Sequence, residues 1–596
     1  MSILIDTVRI AGFRGIKNLE VSLPRVAILI GQNNSGKTSF LKALQLALGD
    51  YSRALSEEDF HIGSNGHAAT EILVDMRIVP TDTNGNKTQQ FSTAWQADLG
   101  DKIKAEASGQ QFVATRIRAK RDPLKGSFDS KRTTLEKWPD FANWTTDKIR
   151  ETNLTRRLES LPFFAIEAQR DIHQELRERT SFVGRVLSGI KYDSGDIATL
   201  EELIKEVNDQ AVSKSDELKS LKANLEELNK SFQGGGNAEI TPFPKKIRDL
   251  SKHVSVHFGE DSASSFSMEY HGMGTRSWAS LLTVKAFAEL LGQQHASEEK
   301  PFFPIFAAEE PEAHLHPNAQ KTIYRQLAAS KGQVIVSTHS PYLAAIAKNR
   351  DIRGLKRAGD NVKILLLPEL EPEDQRRLHR EVIHSRGEIL FSKAIVLCEG
   401  ETEEQALPLL FKTYFECHPF ELGINFVGVG GAGKYLPFFS FSTAFDIPVF
   451  FFSDGEPNIV RDLKKHYESI FGTTDVTSCP NITILPNDDF EGYLMANNCM
   501  PIFETVISEL DGADKIENWK NMRQGTDTGK RDSAGNSILR DYTTTGGHER
   551  AISEIIDKSK PKYSPAVASK LCELDKIVFP PKIIEFFEKI KRGLKL

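Results

Sequence analysis

The sequence predicts an α/β protein in two parts: a phosphate-binding block interrupted by a helical insertion, and a second α/β domain behind it. A glycine-rich loop lies between an apolar strand and an apolar helix in residues 28–48. A charged segment with leucines at helical spacing covers residues 199–231 and ends at "QGGGN". Three strand-like runs after residue 393 each finish in carboxylates. The carboxyl ends of parallel strands meet at one edge of a sheet, so we expect functional residues at two such edges.

Composition sets the broad class. The chain has 596 residues, 39% hydrophobic and 27% charged, which predicts a soluble protein of roughly three or four domains. The five cysteines form no C-x-x-C pair, so neither a zinc site nor a disulfide framework is indicated. The net charge of −6 does not exclude nucleic-acid binding, because a local basic face is sufficient. No signal-peptide pattern and no run of eighteen apolar residues is present, so we expect a cytoplasmic protein.

The order of elements suggests domain boundaries. The first forty residues predict two strands, a turn and a third strand, residues 70–120 are β-rich, and residues 366–388 predict a linker helix. We expect an N-terminal lobe (1–175), a helical insertion (176–250), a C-terminal lobe with its linker (251–390), and a final α/β domain with a C-terminal extension (391–596).

The segment "ILIGQNNSGKTS" matches the phosphate-loop pattern G-x-x-x-x-G-K-[ST]. Its glycines let the backbone wrap phosphates, and the helix N-terminus that follows favours negative charge. Lys37 should reach the β- and γ-phosphates of ATP, and the Thr38 hydroxyl should bind its Mg²⁺. The predicted nucleotide contacts in this loop are Gly31, Asn34, Gly36, Lys37, Thr38 and Ser39.

Two later strands complete this site. "PIFAAEEPEAHLHP" is an apolar strand ending in Glu309 and Glu310, where one carboxylate can hold Mg²⁺ and its neighbour can polarise the attacking water. "QVIVSTHSP" is another buried strand, and it places His339 beside the γ-phosphate.

These motifs together resemble the ABC-type ATPases of the SMC and RecF kind. The resemblance implies that Gln169 is the Q-loop glutamine and that "GMGTRSWASLL" is the signature helix, with Gly274 and Ser277 as phosphate contacts in trans. This segment departs from L-S-G-G-Q, and Glu309 stands where the family has Asp. The family completes each nucleotide site with a second chain, so a homodimer or higher homo-oligomer is implied. The short insertion favours a dimer contact over a long coiled-coil arm.

The carboxylates of the second α/β domain indicate a metal site. "KAIVLCEGETEE", "IPVFFFSDGEP" and "ITILPNDDFEGYL" each end a strand-like run in acidic residues. Bare carboxylates repel one another, and Mg²⁺ or Mn²⁺ relieves that repulsion. At their spacing along a helix that begins here, Glu401 and Glu404 should face solvent.

This pattern resembles a Toprim domain, whose Mg²⁺-dependent chemistry acts on nucleic-acid phosphodiesters. The resemblance implies metal ligands Glu399, Glu403, Asp454 and Glu456, with Glu491 for the second ion of a two-metal site. The second acid of the family's D-x-D motif is Glu456 here.

An ABC-type ATPase joined to a Toprim domain resembles the OLD (overcoming lysogenisation defect) family of ATP-dependent nucleases. The family carries a lysine near the cut phosphate, and its best match is Lys562 in "SKPKYSPAVA", with Lys560 and Lys570 as nearby alternatives. The resemblance implies a DNA endonuclease of anti-phage defence, including the Gabija type with a separately encoded UvrD-like helicase. The alternative is an ATP-driven DNA clamp or repair-assembly protein whose Toprim domain binds DNA without cutting. Residues 115–126 and the C-terminal "KIKRGLKL" are candidate DNA contacts or solvated charged faces.

Overall fold

The computed structural model describes most of the chain. It covers residues 2–49, 51, 55–82, 85–122, 127–167, 193–216, 272–431, 434–472, 479–486, 489–531, 533, 535–573 and 579–596, with isolated residues 218, 219, 222, 257, 258, 266 and 267. The chain divides into two compact units: 1–29, 36–343 and 357–362 form the first, and 30–35, 344–356 and 363–596 form the second. Among the described helices, none is both long and apolar enough to cross a membrane.

The first unit contains an antiparallel sheet and a parallel sheet. Its strands are β1 (Ser2–Phe13), β2 (Ile16–Ser22), β3 (Val26–Ile30), β4 (Glu71–Thr81), β5 (Lys104–Ala105), β6 (Gln111–Asp122), β7 (Ser127–Leu135), β8 (Glu151–Asn153), β9 (Phe163–Ile166), β10 (His257–Phe258), β11 (Phe266–Ser267), β12 (Ile305–Glu309) and β13 (Gln333–Ser337). The antiparallel sheet runs β2-β1-β4-β6-β7-β8, with β5 on β6, and the parallel strands run β3-β13-β12-β9. The predicted early strands and the β-rich region are confirmed.

The helices of the first unit flank these sheets. They are Lys37–Leu48, Thr93–Leu99, Ser194–Lys214, Met273–Ser297, Pro317–Ala328 and Pro341–Ala344. Ser194–Lys214 confirms a helix in the predicted insertion, and most of residues 217–256 lies outside the described part. The buried parallel strands read as continuous apolar runs, as expected for strands covered on both faces.

The second unit is built on a four-stranded parallel sheet. Strands β14 (Ile352–Ala358) and β15 (Asn361–Leu365) precede β16 (Ala394–Cys398), β17 (Ile424–Gly428), β18 (Val449–Ser453), β19 (Ile482–Ile484), β20 (Asp527–Arg531) and β21 (Ser537–Leu539). The sheet order is β17-β16-β18-β19, all parallel, and β20 and β21 form a separate hairpin. The α-helices of this region are Pro372–Arg377, Glu401–Phe415, Tyr435–Ala444, Pro457–Phe471, Phe490–Leu494, Met500–Asp511, Lys515–Arg523, Gly547–Asp557, Lys560–Cys572 and Pro581–Leu594.

A buried ion pair fixes the antiparallel sheet of the first unit. Arg116 on β6 donates from Nε and Nη2 to the two oxygens of Asp75 on β4, each at 2.7 Å, and both side chains are buried. Its neighbour Arg118 pairs with Glu71 at 2.8 Å in a half-exposed position. These two arginines lie in residues 115–126, so that segment is not a free basic strip for DNA.

We expect Arg116→Met to destabilise the first unit by about 3–5 kcal/mol, because it leaves the Asp75 carboxylate buried without its cation. Arg118→Met is the matched control, and its loss should be about 0–1 kcal/mol. Urea unfolding followed by tryptophan fluorescence measures both variants. Equal destabilisation by the two substitutions would contradict the assignment of Arg116 as the structural cation.

Candidate active sites

The phosphate loop is formed as the sequence predicts. The strand β3 is fully buried, and the helix Lys37–Leu48 begins directly after Gly36. Gly36 has φ +101°, and a Cβ there would lie 2.9 Å from Val362 Cγ2, so the loop requires glycine at this position. No acidic residue occupies the first turn of the helix, and no side chain caps it. The N-terminal end of this helix therefore favours an anion such as a phosphate.

The ends of β12 and β13 supply the acidic half of the nucleotide site. The Thr38 hydroxyl donates a hydrogen bond to Glu309 Oε1, so the two predicted Mg²⁺ groups meet. His339 Nε2 lies 3.6 Å from Glu310 Oε1, and Glu310 takes a left-handed conformation with φ +43°. Burial lowers the pKa of His339, and the nearby Lys37 charge lowers it further. The hydroxyl and carboxylate oxygens match the ligands that Mg²⁺ prefers.

Sequence reasoning missed Glu312 in this site. Its side chain is buried and accepts hydrogen bonds from Thr338 Oγ1 at 2.5 Å and from the His339 backbone N–H at 3.0 Å. Burial raises the pKa of Glu312. Glu312 therefore fixes the backbone that carries His339. The available signal is the third acid of "EEPEAH", two positions after Glu310.

The remaining predicted nucleotide residues are distributed as follows. Asn34 lies in the loop with φ +60°, and Ser39 is half-buried in the first turn of the following helix. Gln169 lies outside the described residues. Gly274 and Ser277 lie in the first turns of the helix Met273–Ser297, where a Cβ on Gly274 would meet the His314 carbonyl oxygen at 2.4 Å.

Nucleotide affinity should fall as the pH rises through about 8. Burial lowers the pKa of Lys37 to about 8, so its charged form is lost above that pH. Between pH 7 and pH 9 the charged fraction, and with it ATP affinity, should drop about tenfold. Titration calorimetry with a non-hydrolysable ATP analogue measures this. Lys37→Arg is the control, since arginine stays charged and should give a flat profile. A pH-independent wild type would contradict the role of Lys37.

The second candidate site lies at the carboxyl edge of the parallel sheet in the second unit. Glu399 follows β16, Asp454 follows β18, and Glu491 lies in the helix that follows β19. Glu403 Oε2 accepts a hydrogen bond from the Gly400 N–H at 2.9 Å, which closes the first turn of the helix Glu401–Phe415. Glu456 is exposed at the start of the helix Pro457–Phe471. The three strand ends therefore converge as predicted.

The electrostatics of this edge reflect crowded, buried carboxyl groups. Burial, together with the charges of the nearby Glu403 and Glu399, raises the pKa of Asp454 to about 9. Burial and the charges of Glu403 and Glu456 raise the pKa of Glu399 to about 7. Burial also raises the pKa of Glu403. Asp454 therefore holds a proton at neutral pH that a cation would displace.

Two buried carboxylate oxygens at this edge of the sheet fit a divalent cation. Glu399 Oε2 and Asp454 Oδ1 are inaccessible to solvent and accept no hydrogen bond from the described part of the chain. A divalent cation with oxygen ligands would satisfy both, so the donor set fits Mg²⁺ or Mn²⁺. Within the described ranges, no three acidic, histidine or cysteine side chains already form a ligand cluster. Carboxylates that repel one another are expected to stay apart until an ion binds between them.

Lys560 lies among these strand-end carboxylates. Its Nζ forms ion pairs with Asp489 and, at 3.4 Å, with Glu491. Burial lowers the pKa of Lys560, but these carboxylates outweigh burial and hold it above its ordinary value. Glu491 also accepts a hydrogen bond from the buried Ser564 hydroxyl at 2.6 Å. The sequence left Lys560 as an alternative to Lys562, and sequence reasoning missed Ser564.

The position of Lys562 corrects the sequence-based choice. Its Nζ forms an ion pair with Asp511, which also accepts a hydrogen bond from the Tyr563 hydroxyl. No contact of Lys562 with the strand-end carboxylates is present in the described residues. Two positions along a helix differ by about 200° in direction, so Lys560 and Lys562 leave the same helix on different faces.

Glu404 also differs from the prediction. Instead of facing solvent, it accepts a forked pair of hydrogen bonds from Arg386, at 2.6 and 3.1 Å. Its Oε2 and the Gly400 carbonyl oxygen would lie 2.8 and 2.6 Å from a Cβ on Gly428, so glycine is required there. Glu401 is exposed, as predicted.

Comparison with known families agrees with both sites. Residues 4–344 match the AAA ATPase domain family, and residues 390–455 match the TOPRIM domain of overcoming lysogenization defect protein-like proteins. The chain belongs to the OLD family of ATPase–Toprim nucleases. The prediction of a P-loop ATPase followed by a Toprim α/β domain is confirmed.

Relatives of this OLD-family chain cover most of its length. The "OLD nuclease" of Thermus scotoductus is 24% identical over 75% of this chain and 80% of its own. The "Old nuclease" of Escherichia phage P2 is 25% identical, with 85% and 86% covered. The "Endonuclease GajA" of Bacillus cereus is 21% identical, with 72% and 70% covered. A Pyrococcus furiosus Smc head domain structure covers 64% of this chain and 99% of its own at 17% identity and TM-score 0.36.

Proposed function

We propose that this protein is an ATP-binding, divalent-metal-dependent DNA endonuclease. It nicks or cleaves phosphodiesters at the Toprim carboxylates, and its ABC-type ATPase regulates that cleavage. The observation that carries the proposal is the pair of buried oxygens without a hydrogen-bond donor on Glu399 and Asp454, at adjacent strand ends beside a lysine. The printed names of the nuclease relatives support the same reaction class.

The carboxylates divide into two ligand groups. Glu399, Glu403, Asp454 and Glu456 would hold one Mg²⁺ or Mn²⁺, and Glu491 would contribute to the second. When bound, such ions lower the pKa of the attacking water and neutralise charge on the phosphate. The Gly400 N–H orients Glu403, and the Ser564 hydroxyl orients Glu491.

Lys560 supplies the cationic part of this site. Its ammonium group stays charged at neutral pH, because Asp489 and Glu491 hold its pKa high. A fixed positive charge there stabilises the negative charge that develops on the phosphate during cleavage. In the ATPase, Thr38 and Glu309 would hold Mg²⁺, and Glu310 with His339 would orient the water that attacks the γ-phosphate.

Nicking of supercoiled plasmid DNA tests this function. The wild type should cut with Mg²⁺ or Mn²⁺ and stop when EDTA is added, and Glu399→Ala should be inert. Glu401→Gln is the control, since Glu401 is exposed at the start of the same helix. If the wild type and Glu399→Ala are equally inert across metals and nucleotides, the nuclease assignment fails.

The second candidate is an ATP-driven DNA clamp or repair-assembly protein whose Toprim domain binds DNA without cutting. Its support is the complete phosphate loop with the Thr38–Glu309 contact, which a clamp also requires. Lys37→Ala separates the two functions. Preserved cutting with lost ATP hydrolysis supports a regulatory ATPase, whereas joint loss of DNA loading and cutting supports the clamp.

The biological setting is part of the proposal. A cytoplasmic homodimer or higher homo-oligomer acting on phage or foreign DNA fits the family, and a separately encoded UvrD-like helicase is the partner of a Gabija-type system. A helicase gene beside this one would support that arrangement. A plaque assay in a host that expresses the wild type or Glu399→Ala tests the antiviral role.

A further inference from the structure

Two cations without a carboxylate partner lie over one indole ring in the second unit. Trp519 lies in the helix Lys515–Arg523, and its side chain is 9% exposed. Arg523 Cζ lies 4.5 Å and Lys558 Nζ 4.6 Å from the centroid of the Trp519 ring. Their cationic groups form no ion pair with any described carboxylate. We call Trp519, Arg523 and Lys558 the tryptophan platform.

A hydrogen bond to Glu554 holds the Trp519 ring in place. Trp519 Nε1 donates to Glu554 Oε2 at 3.3 Å, and the same carboxylate accepts from the Tyr542 hydroxyl at 2.6 Å and from Arg540 Nε at 2.9 Å. The ring orientation is therefore fixed by a shared acceptor. The two cations are consequently positioned before any ligand arrives, which reduces the entropy lost on binding.

The platform lies close along the chain to the proposed cleavage site. Lys558 precedes Lys560 by two residues, and that length of chain spans at most about 7 Å between Cα atoms. Lys560 itself pairs with Asp489 and Glu491. The platform is therefore close, along the chain, to the strand-end carboxylates that Lys560 contacts.

An anion is the ligand that this arrangement favours. Two cations without a carboxylate partner are held at one ring, and the oxygens of a phosphate are the ligands that such cations bind most strongly. The indole is almost fully covered, so it cannot stack on a base, and contact with the backbone carries no sequence information.

We propose that the tryptophan platform binds a backbone phosphate of the substrate strand next to the phosphate that is cut. This inference rests on the proposed nuclease function. The platform sets how the strand is held and leaves the chemical step to the carboxylates and Lys560.

The test uses the full-length double variant Arg523→Ala/Lys558→Ala and a labelled DNA duplex. Each phosphate contact that is lost lowers the magnitude of the slope of log affinity against log salt by about 0.9, and the platform holds one phosphate, so the double variant should lose about 0.9. The KM for duplex cleavage with Mn²⁺ should rise at least tenfold, while kcat changes less than twofold. Trp519→Phe, which keeps an aromatic face, should show a smaller change of the same sign.

Lys520→Ala is the matched control, because Lys520 lies on the same helix but is paired with Glu517 at 2.8 Å. A double variant with the KM and salt slope of Lys520→Ala would overturn the inference, because the platform would then hold no phosphate of the DNA. A fall in kcat at unchanged KM would equally overturn it. Absence of cutting by the wild type would instead contradict the nuclease function.

Discussion

Lys560→Met should reduce DNA cleavage by about 100- to 1,000-fold, because it removes the fixed charge that stabilises the developing negative charge on the phosphate. Lys562→Met should cut at nearly the wild-type rate, since the Lys562 ammonium group is paired with Asp511. Plasmid nicking with Mn²⁺, measured as a rate at saturating DNA, compares the two variants. The substitutions are identical in chemistry and two residues apart, so each controls for the other.

Metal binding distinguishes a structural role of Lys560 from its proposed role in stabilising charge during cleavage. Removing a cation from among carboxylates should strengthen Mn²⁺ binding, even as cleavage is lost. Titration calorimetry with Mn²⁺ measures this. If Lys560→Met binds Mn²⁺ more weakly, or if Lys562→Met loses cleavage and Lys560→Met does not, the assignment of Lys560 is wrong.

Asp454→Asn should abolish cleavage while making the metal-free protein more stable. Burial and neighbouring acids raise the pKa of Asp454 to about 9, so the folded protein disfavours its charged form. Stability is therefore lost as the pH rises from the ordinary aspartate value towards 9, and the isosteric amide removes that loss. We expect the Tm near pH 8 to rise by about 2–4 °C, with no difference below pH 4, where both side chains are neutral.

The same variant should bind Mn²⁺ at least about tenfold more weakly, since a neutral amide replaces a ligand carboxylate. Scanning calorimetry at pH 4 and pH 8 and titration with Mn²⁺ measure the two effects. Opposite signs for stability and activity exclude simple misfolding. A lower Tm at pH 8, or unchanged Mn²⁺ affinity, would contradict the position given to Asp454.

Motifs at strand ends were predictable because their geometry is local. Lys37 and Thr38 follow the strand β3 and begin a helix, and Glu309 is the last residue of β12. Both strands belong to one parallel sheet, so the contact of Thr38 with Glu309 follows from the sheet topology. The convergence of Glu399, Asp454 and Glu491 follows from the same rule.

Residues fixed by helix phase or by distant partners were not predictable. Lys560 and Lys562 could not be ranked, because the residue at which their helix begins decides which one faces the carboxylates. Glu404 is held by Arg386, eighteen positions earlier in the linker, and no local pattern encodes that contact. Glu312 was obscured by its two acidic neighbours, since only burial distinguishes it from Glu310.

Cleavage and metal occupancy measured on one preparation test the central claim most directly. Mn²⁺ is added stepwise to metal-free wild-type protein, bound Mn²⁺ is counted by electron paramagnetic resonance, and plasmid nicking is followed in parallel. The Toprim assignment predicts that nicking begins only as Mn²⁺ binds, rises with occupancy, and is absent in Asp454→Asn at every concentration. Nicking that persists in EDTA, or that Asp454→Asn retains at the wild-type rate, would contradict it.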